Sequence, residues 1–350
     1  MSTPDGFWSL LSLTGAPLLQ LLALVVAGIV LYRVRILDEP MVDRLARLVI
    51  SVTLPCLILA TIVTRFRPYD AGFAGWYALP LAAVGMVVAA AGVASVMGRW
   101  IVPAPRRPAF RVVCSFHNAG YLNIPIVAAI YAHGQGHGDA EGMLVLLFLF
   151  ILGISPMMWS LGVRWLRADG GPPSVNRGWR VKQILSPPFV ANVLAVALCL
   201  LNWPSRVRPD TLAQVLAPIR WTGDCTIPLI MLTLGGILAG LRSAQRPPMR
   251  SLVAAGGFRF VVMPLLGLAV LGGLLAHGWL PKGYAVILFL QTMMPTATGM
   301  AVAARRYGSA ETSEYVNGMV FVLYLAALVV IPFWLMVWGG LFGFAVPSGS

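Results

Sequence analysis

The chain has 350 residues, of which 59% are hydrophobic and 11% charged, with a mean hydropathy of +0.83. Such a composition excludes an ordinary water-soluble domain and points to an all-α integral membrane protein. The net charge of +13 belongs to no soluble basic domain, so nucleic acid is not expected as a partner.

Apolar stretches of membrane-spanning length, about 20 residues each, fall near residues 16–33, 45–64, 74–98, 110–132, 142–164, 187–203, 212–241, 251–277, 283–304 and 315–342. The first is expected to remain as a helix and not to be removed as a signal peptide. Its leading residues carry Asp5 without Lys or Arg, and no small-residue cleavage site follows. The second contains SVTLPCLILATIV and the seventh DCTIPLIMLTLGG, which share a Thr-x-Pro at Thr53/Pro55 and Thr226/Pro228, 173 positions apart. Gly134 and Gly308, after the fourth and ninth spans, match at nearly the same offset, 174, and Pro80-Leu81 and Pro264-Leu265 in the third and eighth match at a larger one, 184. Together these matches indicate two five-helix repeats, and because five is odd the second is inverted relative to the first. The Pro/Gly-rich basic stretch 167–186 reads as the linker between them. Glycine pairs at 235–236, 256–257 and 272–273 are expected to let helices approach closely.

The fourth and ninth spans carry the faults around which the rest is arranged. Cys114 to Gly134 has Asn118, Gly120, Asn123 and Pro125 at its centre, and the ninth span has Pro295 followed by Thr296, Thr298 and Gly299. Proline removes a backbone donor and crowds the carbonyl four residues earlier, so both helices are expected to break there. Backbone freed inside a membrane survives only against protein or a water-filled cavity. Paired broken helices in corresponding places of two halves are the strongest sequence pointer to a transporter's binding site.

Of the 25 Lys and Arg, 18 fall in the odd-numbered loops, five (Arg65, Arg67, Arg206, Arg208, Lys282) lie on the other side, and Arg220 and Arg259 fall within spans. Positively charged short loops stay cytoplasmic, which places both termini outside. Arg220 and Asp224, four apart, are expected to pair with each other, and Arg259 to snorkel toward the cytoplasm in competition with anion attraction. Cys56, Cys114, Cys199 and Cys225 read as small buried hydrophobes, not as disulfides or metal ligands. Neither a GxGxxG nor a GKS/GKT motif is present, and no cofactor or metal is expected.

Two motifs, NAGYLNIPIVAAIY from Asn118 and MPTATGMAVAARRYG from Met294, together with the paired Thr-x-Pro, resemble the auxin efflux carrier family, which includes the plant PIN carriers and many bacterial permeases. The resemblance covers nearly the whole chain. It implies that the fourth and ninth helices cross at mid-membrane with Pro125 and Pro295 at the breaks, and that Asn118 contacts a substrate carboxylate. It implies a scaffold domain of residues 1–72 and 187–246 and a mobile transport domain of 73–166 and 247–350. It implies elevator-like alternating access, and a homodimer formed through the second and seventh helices. The short linker and Met300, where the plant carriers have a second proline, suggest a bacterial-type member in the cytoplasmic (inner) membrane.

The chemistry expected at the breaks follows from helix ends. Asn123 suits an N-cap for the half-helix after the first break, with Pro125 near its first position, and Thr296 and Thr298 lie near the start of the half-helix after the second. Two such positive ends converging in low dielectric would hold an anion without a full positive charge, with Asn118 donating from its amide. Asn118 is assigned to binding and Asn123 mainly to structure. Tyr121, Ile124, Met293 and Met294 are expected to give an adaptable apolar pocket for a small mono- or dicarboxylate. His117, Asp224 and Arg259 are candidates for coupling or charge, as ionisable groups inside spans, although a single His equally suits a hydrogen-bonded structural role. The rivals are a receptor or channel, and an intramembrane enzyme. WTGD at 221–224 lacks the second intramembrane aspartate that a paired-carboxylate protease needs, so no catalytic residue is expected.

Overall fold

The computed structural model describes residues 4–132, 139–168, 185–241 and 247–344; most of the linker and Gly134 lie outside them. Among the described residues all regular structure is helical, apart from one isolated β-bridge. The helices are α1 (Pro4–Arg33), α2 (Glu39–Arg65), α3 (Ala78–Ile101), α4 (Arg107–Ser115), α5 (Asn123–Ala132), α6 (Ala140–Arg167) and α7 (Pro187–Leu200). They continue as α8 (Pro209–Asp224), α9 (Thr226–Leu241), α10 (Met249–Ala276), α11 (Lys282–Thr292), α12 (Thr298–Tyr307) and α13 (Ala310–Phe342). Among the described residues six runs are continuous and apolar enough to cross a membrane: Glu39–Arg65, Ala71–Ile101, Ala140–Arg167, Pro209–Gly240, Met249–Ala276 and Ala310–Phe342. The stretches expected as the fourth and ninth spans are each two short helices, α4 with α5 and α11 with α12.

Local chemistry sets where the long helices begin and deviate. Asp38 accepts from the Met41 N–H at 2.8 Å, with Pro40 in the first turn of α2, and Ser309 accepts from the Thr312 N–H at 3.2 Å to start α13. Widened π turns at Val49–Thr53 and Phe258–Val262 sit just before Pro55 and Pro264, and a third at Met158–Gly162 follows Pro156. Each proline removes one ladder hydrogen bond, and the local widening absorbs the loss without ending the helix. Thr226 and Pro228 begin α9 just after its junction with α8 at Cys225, so both Thr-x-Pro motifs stand at irregularities in long apolar rods. The Pro80/Pro264 match does not correspond in this way. Pro80 is in the first turn of α3, whereas Pro264 is in the middle of α10.

Close packing rests on a few glycines. A Cβ at Gly28 would come within 2.3 Å of the Leu232 carbonyl oxygen, and one at Gly235 within 2.2 Å of the Val25 oxygen, so α1 and α9 touch backbone to backbone. Gly153 does the same for α6 against Pro80 of α3. Gly257 and Gly273 face open space, so the close-approach expectation fails at these two. Apolar side chains left exposed, such as Leu81, Val88 and Val96 on α3 and Leu265, Leu266 and Val270 on α10, form the faces suited to lipid. Cys225 is exposed, unlike buried Cys114 and Cys199.

Two charge pairings differ from expectation. Arg220 pairs with Glu141 in the first turn of α6, not with Asp224, and Arg65 also bonds Glu141 at 3.1 Å and reaches Asp139. A carboxylate on a neighbouring helix competes successfully with one on the same helix, because long side chains reach between helices. Arg259 does not snorkel; it is 0% exposed.

Candidate substrate site at a helix crossing

Residues 116–122 and 293–297 leave the helical path, and short non-helical pieces around His117 and Thr296 run past one another, with 119–122 forming a turn into the next helix. Pro125 and Pro295 explain the interruptions sterically, and cross-chain bonds replace the lost ladder. The Asn118 N–H donates to the Pro295 carbonyl and the Ala297 N–H to the Phe116 carbonyl, both at 2.8 Å, flanking an antiparallel bridge between His117 and Thr296. Thr296 Oγ1 donates to the Val113 carbonyl at 2.8 Å, which satisfies an orphan acceptor in the last turn of α4. The crossing therefore contributes four helix ends: the C-terminal ends of α4 and α11 and the N-terminal ends of α5 and α12.

Side chains from distant elements close around it. Arg259, in the π turn of α10, donates from Nε (3.2 Å) and Nη2 (2.6 Å) to the Met294 carbonyl and from Nη1 (3.3 Å) to the Cys114 carbonyl. It thus bridges the C-terminal ends of α4 and α11, where carbonyls point and a cation is favoured. No ion pair among the described residues involves it. Asn123 Nδ2 donates at 3.0 Å both to the Asn118 carbonyl and to Gln291 Oε1 on α11, tying the two interrupted helices together. The N-cap expectation for Asn123 is corrected: it is the first residue of α5, and its Oδ1 accepts no hydrogen bond. The first turn is closed by backbone instead, through Ile124 N–H to Gly120 and Ile126 N–H to Leu122. His117 Nε2 and Gln291 Nε2 are buried at the same crossing. The His117 ring lies 5.7 Å from that of Phe150.

On the other side, polar groups from both breaks meet at one oxygen. Asn118 Nδ2 donates to the hydroxyl of Tyr324 on α13, and Thr298, at the start of α12, stands beside that hydroxyl. Tyr324 also lines a cavity of about 350 Å³ whose walls are otherwise apolar, with Val25 from α1, Ile126 from α5, Met231 and Leu234 from α9, and Ile331 from α13.

A membrane transport protein family model matches residues 15–335. The chain belongs to this family. The resemblance to auxin efflux carriers is borne out by that match and by similarity to plant PIN-LIKES proteins. PIN-LIKES 5 of Arabidopsis thaliana is 24% identical over 162 residues, covering 44% of this chain and 40% of that protein. PIN-LIKES 3 of the same plant is 25% identical over 162 residues, covering 43% and 40%. Less than half the length of these relatives is matched.

For this family member, the structure brings together His117, Asn118, Asn123, Pro295, Thr296, Thr298 and Arg259 at one crossing. It does not bring Asp224 there: Asp224 is exposed at the end of α8, beside a separate small pocket with Arg220 and Glu141. Pro125 acts through backbone geometry, in the first turn of α5. Met293, Met294 and Ile124 are buried, Tyr121 is half-buried, and none of the four lines the cavity; Leu122, just before α5, and Ile126 within it form that wall instead. Gln291 and Tyr324 were not found from the sequence. The signal for Gln291 was an amide within the apolar run LFLQTMMP; for Tyr324, inside VLYLAAL, only the fold carries one.

Proposed function

We propose that this protein is a secondary transporter for a small organic anion, with a carboxylate as the bound group. The observation that carries the reading is that Asn118 Nδ2, donating to the Tyr324 hydroxyl, and Thr298, at the N-terminal end of α12, stand together beside an apolar cavity that Tyr324 lines. Both can donate to a carboxylate oxygen arriving through the cavity, once that hydroxyl turns aside. The apolar walls receive the organic part, as in most small-molecule sites. Membership of a membrane transport family supports carriage over catalysis or reception.

In this reading the chain is two inverted five-helix repeats. Residues 1–72 and 187–246 form a scaffold, and 73–166 and 247–350 form a body that carries the crossing past it. The cavity supports that division, since α1 and α9 wall it on one side and α5 and α13 on the other. The protein works as a homodimer through α2 and the α8–α9 rod in a bacterial cytoplasmic membrane, with both termini outside. The test is uptake of labelled mono- and dicarboxylates into liposomes holding the purified protein. Saturable uptake of at least one anion, competed by its unlabelled form, is expected; no flux, or flux of cations alone, overturns the reading.

A further inference from the structure

The anion reading leaves one electrostatic difficulty, and a residue outside both interrupted helices resolves it. Four helix ends meet at the crossing, each carrying about half an elementary charge, positive at the N-termini of α5 and α12 and negative at the C-termini of α4 and α11. The four contributions cancel, so the paired breaks alone give no preference for an anion. Arg259 changes the balance. Its guanidinium stays protonated in proteins, is 0% exposed, and spends its observed hydrogen bonds on the Cys114 and Met294 carbonyls, at the two negative ends. One full positive charge there offsets the two half-charges and leaves the two N-terminal ends uncompensated.

We propose that Arg259 is the positioning residue that makes the crossing selective for anions: it neutralises the C-terminal ends of α4 and α11, so the field left at Asn118 and Thr298 is that of α5 and α12. The inference rests on the anion reading above and deepens it. Arg259 lies on the carbonyl side, bonded to Cys114 and Met294, and the ligand donors Asn118 and Thr298 meet at Tyr324 on α13. Its effect is therefore exerted through the helix ends and not by contact with the ligand.

The experiment measures binding of a panel of monocarboxylates, each beside its neutral primary amide, to the purified full-length protein in detergent. The tightest-binding pair is carried into Arg259→Gln and Arg259→Lys. Wild type is expected to prefer the carboxylate by on the order of tenfold. Arg259→Gln should bring the carboxylate-to-amide ratio close to one, whatever loss the two ligands share, and Arg259→Lys, which keeps the charge, should restore the preference. A merely structural Arg259 would weaken both ligands equally, so an unchanged ratio in Arg259→Gln overturns the proposal. Should that variant fail to fold, Arg259→Lys decides alone: a preserved ratio, even with both affinities lowered, supports the charge, and a lost ratio overturns it. If no carboxylate in the panel binds wild type, or amides bind as well, the anion reading itself fails.

Discussion

The two interruptions of the crossing differ in what they contribute. The first, residues 116–122, brings polar side chains: His117 and Asn118, with Asn123 immediately after. The second, residues 293–297, contributes mainly backbone, with the Met294 carbonyl holding Arg259, the Pro295 carbonyl holding the Asn118 N–H, and the Ala297 N–H holding Phe116. The first break therefore brings mainly side chains to the crossing and the second mainly backbone, with Thr298 following at the start of α12. Motifs that look equivalent in sequence need not share a role, because a side chain can act only where its neighbours leave a donor or acceptor free.

The largest expected effect comes from the residue that joins the two. Asn123→Ala leaves the Asn118 carbonyl and Gln291 Oε1 without their donor, and each buried orphan costs about 1–3 kcal/mol. Thermal unfolding in detergent should show a loss on the order of 2–6 kcal/mol; wild-type stability would mean that the amide does not tie the breaks together. Asn118→Ala should instead weaken anion binding, by about 1.5–3 kcal/mol for a hydrogen bond to a charged group, or roughly tenfold to a hundredfold in affinity. Calorimetric titration beside a melting curve separates the two roles, and affinity lost only together with folding would move Asn118 into the frame. The smallest effect should be that of Thr296→Val, which keeps the shape and removes the bond to the Val113 carbonyl. A stability loss of about 1 kcal/mol with affinity within about threefold is expected; a large affinity loss would show that Thr296 also takes part in binding.

The sequence by itself determined a good deal here. Apolar composition required membrane helices, because lipid leaves no other partner for backbone polar groups. Pro125 and Pro295 drew attention to the two interruptions because each stands among polar residues and glycine, whereas Pro156, Pro264 and Pro332 lie inside helices that continue past them. Asn118, Thr296 and Thr298 could be picked out because polar residues beside such a break have backbone to satisfy or ligand to meet. What lay beyond reach was every partnership between distant segments. Arg259 read as a snorkelling side chain until the fold set it on Cys114 and Met294, 145 and 35 positions away. Arg220 had an acid four residues on and took Glu141 instead, 79 positions back. Asn123 offered a helix cap and was used as a tie to Gln291, 168 positions away. Tyr324, one tyrosine in an apolar helix, gained meaning only beside Asn118, 206 positions away. Steric and solvation preferences act over a few residues and are written locally, whereas a buried donor's choice of acceptor is settled by whichever carbonyl or carboxylate the tertiary fold brings within about 3 Å.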